Sequence, residues 1–184
     1  SIIAAQEVLN LLGFNFNEAP SGADEEEEIL QVELNLAGGS IEDLLMMIDL
    51  IDPKAKIAGQ LLMEIFPAAL LSGSGRMFSY LVLKSVNVAL KYGNSPETAF
   101  AYGAYGMILC GYLNDPAKGF RYGKLSVDLI DKYNDIALRS RIIYVYSMFV
   151  HHWSNHWSSM TPWFQRGIEA GYQSGDLLYL AYSA

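Results

Sequence analysis

Apolar residues return at helical spacing along nearly the whole chain, and the breaks between those runs carry the usual helix punctuation. Ile2, Ala5, Val8, Leu9 and Leu12 predict a first helix that stops at Gly13. A loop with an acidic run follows, and Glu25–Glu28 are expected in the first turn of the next helix, solvated and suited to its dipole. After Leu30–Leu36 and a Gly-Gly-Ser turn, Ser40 with Asp43 resembles a capping box for a short helix over "IEDLLMMIDL". Asp52–Pro53 opens a helix running to about Leu71 past Pro67. "SGSG" turns the chain, and Phe78–Tyr92 returns. A second pair is expected from Pro96 to Leu113 and from Ala117 to Tyr133, a third from Asp135 to Trp153 and from about Ser159 to Ser174. No long run alternates strictly, so no sheet is expected.

The pairs repeat one another. "SVNVALKY" at Ser85–Tyr92 returns as "SVDLIDKY" at Ser126–Tyr133, and "AYGMILCGY" at Ala104–Tyr112 as "VYSMFVHHW" at Val145–Trp153, each about 41 residues on. A period of that length, filled by two antiparallel helices, predicts an all-α fold of the solenoid type: a right-handed α-α superhelix of tetratricopeptide-like hairpins. The expected organisation is one helical-repeat domain over 1–184. Residues 1–52 form an irregular helical start, 53–93, 94–134 and 135–175 the hairpins, and 176–184 the beginning of a further helix. Within a hairpin, Gly119, Gly123 and Ser126 are expected to admit a close partner helix, with Tyr105, Ile108 and Tyr112 filling the groove opposite. Tyr146, Phe149 and Trp153 take the equivalent places in the third pair.

Composition narrows the function classes. Of the 184 residues 52% are hydrophobic, enough for a sizeable core, and the net charge of −8 with 12 Lys and Arg argues against a phosphate-tracking nucleic-acid surface. The most apolar run, Ile57–Leu71, is interrupted by Gln60, Glu64 and Pro67 and is not expected to span a membrane. The single cysteine, Cys110, fits a reducing compartment, and a cytoplasmic location is expected. The first residues lack the basic region of a signal peptide, and both ends read as cut from a longer protein.

Chemistry is sparse. His152 and His156 stand four apart, as metal ligands on a helix can, but no Glu lies between them, and hydrogen-bonding histidines at a hairpin turn are the expected reading. Asp128, Asp131 and Asp135 read as a solvated face, and "SGSGR" at Ser72–Arg76 lacks the ending of a phosphate-binding loop. No catalytic residue, cofactor or metal is expected. If the first helix of each hairpin lines a concave surface, the positions between its core residues form a partner groove: Gly103, Gly106 and Cys110, and 41 residues on Tyr144, Ser147 and His151.

The stretch "SPETAFAYGAYGMILCGYLNDPAKGFRYGKLSVDLIDKYN", together with "HHWSNHW", resembles the tetratricopeptide-like helical region that follows the AAA-type, STAND-like ATPase module in large bacterial signalling proteins of cyanobacterial type. The matching positions are Lys91–Pro96, Tyr105, Gly106, Leu109–Gly111, His152, Trp153 and His156. Those proteins carry a serine/threonine-kinase-like domain, the ATPase, a GAF domain and often a histidine kinase. The resemblance implies a non-enzymatic scaffold or relay segment whose partners are other domains of the same chain, or a partner protein, in two-component or ATPase-coupled signalling. A small-ligand sensor regulating the linked ATPase or kinase, with the aromatics and histidines of Tyr144–Trp157 as its pocket, is the alternative.

Overall fold

The structure is a computed structural model, and it describes residues 2–184. Helices dominate: α1 (Ile2–Leu11), α2 (Gly22–Leu36), α3 (Pro53–Leu71), α4 (Gly75–Tyr92), α5 (Pro96–Gly111), α6 (Pro116–Tyr133), α7 (Ile136–Val145), α8 (Thr161–Ser174) and α9 (Leu177–Ser183). Among the described residues the β-type pairing is an isolated bridge between Asp49 and Asn94. No described helix is long and apolar enough to cross a membrane.

The repeat is visible in the helix ends. α4 and α6 have 18 residues each, and their boundaries differ by 41 at both ends (116 − 75 and 133 − 92). The third returning element keeps the same frame, a 3₁₀ turn at Trp157–Met160 running into α8 and ending at Ser174. The cap of each is a residue at positive φ, namely Gly93, Asn134 and Gly175. At Asn134 and Gly175 the cap is left-handed, which lets the orphan carbonyls of the last turn be satisfied locally and which asparagine and glycine adopt at least cost, whereas Gly93 takes φ 117° and ψ 179°, a conformation open to glycine alone. At the other end, Ser74 and Asp115 accept from the amides of Met77 and Lys118. Asp135 and Asp176 cap α7 and α9 in the same way.

The chain divides into two compact units. The first comprises the residues up to Ser40 with Met47–Thr98. In it α4 packs against both α2 and α3, which is why Leu81, Val82, Leu83, Val86 and Ala89 lie fully buried along it. The loop before α3 pairs with the start of α5: Asn94 donates to Ile48 O at 2.9 Å and Leu50 to Asn94 O at 2.7 Å. Gly93 sits in that contact at φ 117°, where a Cβ would meet Ile48 O at 2.6 Å, so backbone conformation and space both demand glycine.

The second unit comprises Ile41–Met46 and Ala99–Ala184. Here α5 and α6 meet through glycine. A Cβ on Gly119 would lie 2.5 Å from Cys110 Sγ and 2.7 Å from Gly106 O, and one on Gly106 2.8 Å from Gly119 O. Tyr102, Tyr105 and Tyr122 fill the space beside that contact, with ring centroids 5.9 and 4.9 Å apart. The expectation of close packing at Gly119 and Gly123 holds, but Tyr112 is not core: it is 66% exposed. It stands just past the end of α5, where the chain leaves the helix for Asn114 at positive φ.

Two further expectations need correction. The short helix after Ser40 is only a 3₁₀ turn, Glu42–Met46, because the bridge to Asn94 draws the following residues into extended backbone. A capping box opens α2, where Ser21 and Asp24 reciprocate. The run Asp135–Trp153 does not stay α-helical: α7 passes into a π turn at Tyr146–Val150 and a 3₁₀ turn at His151–Trp153. The wider turn falls where Tyr146 and Val150 nest against Gly123, whose missing Cβ would lie 2.6 Å from Val150 Cγ1.

Candidate functional site

The expected partner groove is filled by the fold. Gly103, Gly106, Cys110, Ser147 and His151 are all buried, and Tyr144 is half-buried. Gly103 and Gly106 face α6, where their missing side chains admit Ser126 and the backbone of Gly119 and Gly123. Ser147 returns its hydroxyl to Ile143 O at 2.6 Å, and Tyr144 packs on Tyr179 and Tyr182 of α9. These positions therefore floor no open notch. Positions between core residues look outward only on a helix covered on one side; helices covered on more than one side bury those positions too.

Burial also settles Cys110. Its thiol is pushed up to about 11, by burial first and then by the charge of Asp115, so it stays protonated and unreactive at neutral pH.

His151 lies in an aromatic box. Phe120, Tyr146 and Trp163 surround the imidazole at centroid distances of 6.5, 5.4 and 5.9 Å. Ser159 Oγ donates to His156 O at 2.6 Å, so at 2.8 Å from His151 Nε2 it accepts, and Nδ1 is left to accept from the Tyr146 hydroxyl at 3.1 Å. In this tautomer the serine proton points away from the imidazole, which is the wrong arrangement for a general base. Burial, with a smaller contribution from His152, lowers the imidazole's pKa and keeps it neutral. Burial raises Tyr146 to about 12.

The surface feature beside this box is aromatic. His152 lies between Trp153 and Trp157, with centroids 5.6 and 5.3 Å away at interplanar angles of 34° and 30°. The two tryptophans are 46% and 68% exposed, so the Trp153 position expected in the core faces solvent. His156 is exposed and turns Nδ1 to Ser158, not toward His152. No group of three or more His, Cys, Asp or Glu among the described residues is placed to hold a metal.

The sequence reading missed a polar network in the first unit. Glu28, expected in a solvated turn, is 9% exposed. Its carboxylate takes Lys84 Nζ at 2.7 Å and Asn87 Nδ2 at 2.8 Å, while Asn87 also donates to the Glu28 carbonyl at 3.1 Å. Asn35 donates to Asn87 at 3.0 Å, and Gln31 to Asn35 at 2.9 Å. Burial alone lowers the Lys84 pKa, but the hydrogen bond and charge of Glu28 outweigh it, and the net shift is upward. The network floors a cleft of about 490 Å³ between α2, α4 and the loop Gly13–Phe16. The available signal was Lys84 and Asn87 three apart in the mainly apolar stretch Leu81–Leu90 of α4.

Compared with known proteins, the chain matches no family model, no curated protein and no solved structure.

Proposed function

We propose that the chain is a non-catalytic helical-repeat segment, a right-handed superhelix of tetratricopeptide-like hairpins, that serves as scaffold or relay between domains of a multidomain signal-transduction protein. The observation that carries this reading is the recurrence of helix ends and caps at 41 residues: Gly93, Asn134 and Gly175 close three returning helices in one frame. Hairpins repeated in that way are the building unit of solenoids, which recognise partners by extended surface. The resemblance to the helical region following STAND-like ATPase modules points to the same role.

The contact point on this reading is the Trp153–His152–Trp157 knuckle at the turn between α7 and α8. Tryptophan carries much of the binding energy in protein interfaces, and a pair left exposed at a turn is ready to dock. The test is calorimetric titration of the chain with the ATPase module of its own parent protein. Micromolar binding that Trp153→Ala with Trp157→Ala weakens at least about ten-fold, at unchanged melting temperature, supports the proposal. Absence of binding refutes the relay role. The alternative, a small-ligand sensor regulating the linked ATPase or kinase, draws its support from the cleft in the first unit and not from the Tyr144–Trp157 stretch.

A further inference from the structure

A largely buried ion pair, Glu28 with the half-buried Lys84, and its hydrogen-bonding amides make a costly floor for a cleft. Apolar residues of similar volume commonly serve stability as well or better, because desolvating both ions costs several kcal/mol before they attract one another. Glu28, Lys84, Asn87 and Asn35 nonetheless form one connected network beneath an opening of about 490 Å³, a size typical of small-molecule sites.

The charges around the opening define what fits. Glu28 and Lys84 neutralise each other at the floor, leaving Glu27 on α2 and Lys91 on α4 as the remaining charged groups of the lining. Both are exposed, and neither forms an ion pair with another described residue. Lys91 Nζ stands 5.3 Å from the Tyr92 ring centroid, and Tyr92 meets Phe14 edge-on at 5.9 Å, giving one wall an apolar face. Asn15 and Gln31 add neutral hydrogen-bonding groups at the mouth. A polyanion would meet Glu27 and a net charge of −8, while a simple cation would meet Lys91. A molecule carrying one charge of each sign, with an apolar part between or beside them, satisfies every group.

We propose that this cleft binds a small zwitterion of the amino-acid or dipeptide class, its carboxylate on Lys91, its ammonium on Glu27 and its side chain against Phe14 and Tyr92. The inference rests on the ligand-sensor reading and is independent of the scaffold reading.

The test is a thermal-shift and calorimetric screen of the whole chain with the free L-amino acids and glycyl-tyrosine. N-acetylated and C-amidated forms of the same compounds serve as controls. At least one free zwitterion is expected to bind saturably and raise the melting temperature by mass action. Lys91→Met and Glu27→Gln, both at exposed positions, are each expected to weaken that binding about ten-fold or more. N-acetylation is expected to abolish the gain in the wild type but to cost little further in Glu27→Gln. No saturation by any zwitterion up to about 10 mM overturns the proposal. So does equal binding of blocked and free compounds, or indifference to both substitutions. If binding holds but the activity of the linked ATPase or kinase does not respond, the sensor reading falls while the site stands.

Discussion

α4 and α6 are the two halves of the sequence echo, equal in length and with caps 41 residues apart (134 − 93), yet they are buried by opposite means. α4 meets its neighbours with bulk and charge: Phe78 and Val82 fill the core, and Lys84 and Asn87 reach Glu28 across the contact. At the corresponding positions α6 has Gly119, Gly123, Leu125 and Asp128. It approaches α5 backbone to backbone, and Asp128 pairs with Lys124 along its own helix instead of reaching into a core. One pattern of helix ends thus accommodates a polar, hydrogen-bonded contact in one unit and a glycine-lined, dispersion-held contact in the other. Caps act within a single turn, whereas the contact depends on which partner the tertiary fold supplies.

The sharpest way to break this contrast is to give α6 the bulk of α4. Gly119→Leu is expected to destabilise by about 2–4 kcal/mol, read as a lower urea midpoint, since the side chain would enter space held by Cys110 and the Gly106 carbonyl. Gly111, with open space around it, is the control, and Gly111→Ala should leave the midpoint nearly unchanged. An equal response at both sites would deny the close approach.

The polar half is tested by Asn87→Ala, expected to cost about 1–3 kcal/mol because Glu28 and Asn35 lose a buried partner. If Asn87→Ala were neutral, water would be reaching the network freely. The cleft would then be a solvated surface.

A smaller effect is expected from acid. Since the native imidazole of His151 has a lowered pKa, the unfolded chain takes up a proton first as pH falls below about 6.5. Stability should therefore decline from that point down to the native pKa, and urea midpoints measured between pH 7 and 5 should fall less for His151→Gln than for the wild type. Parallel profiles would mean that the imidazole is hydrated as in the unfolded state.

The smallest effect is expected at the knuckle. Trp153→Ala and Trp157→Ala should each change stability by no more than about 0.5 kcal/mol, because both side chains are substantially exposed. A larger loss would make the knuckle part of the core and remove it as a docking point.

The sequence by itself determined the helices, their order and their period. Those properties rest on interactions three or four residues long: Ser74 with Met77, Asp115 with Lys118, Asp135 with Leu138, and a residue at positive φ after the last turn. Only the tertiary structure decided which positions between the caps are buried. Glu28 and Asn87 stand 59 residues apart, and neither identity nor spacing in a run of five acids marks Glu25 and Glu28 as the ones that are buried. The candidate groove failed for the same reason: periodicity tells which residues share a face, but not how many faces are covered. The π turn after α7 likewise answers to Gly123 on another helix, a demand that no local rule in Tyr146–Val150 expresses.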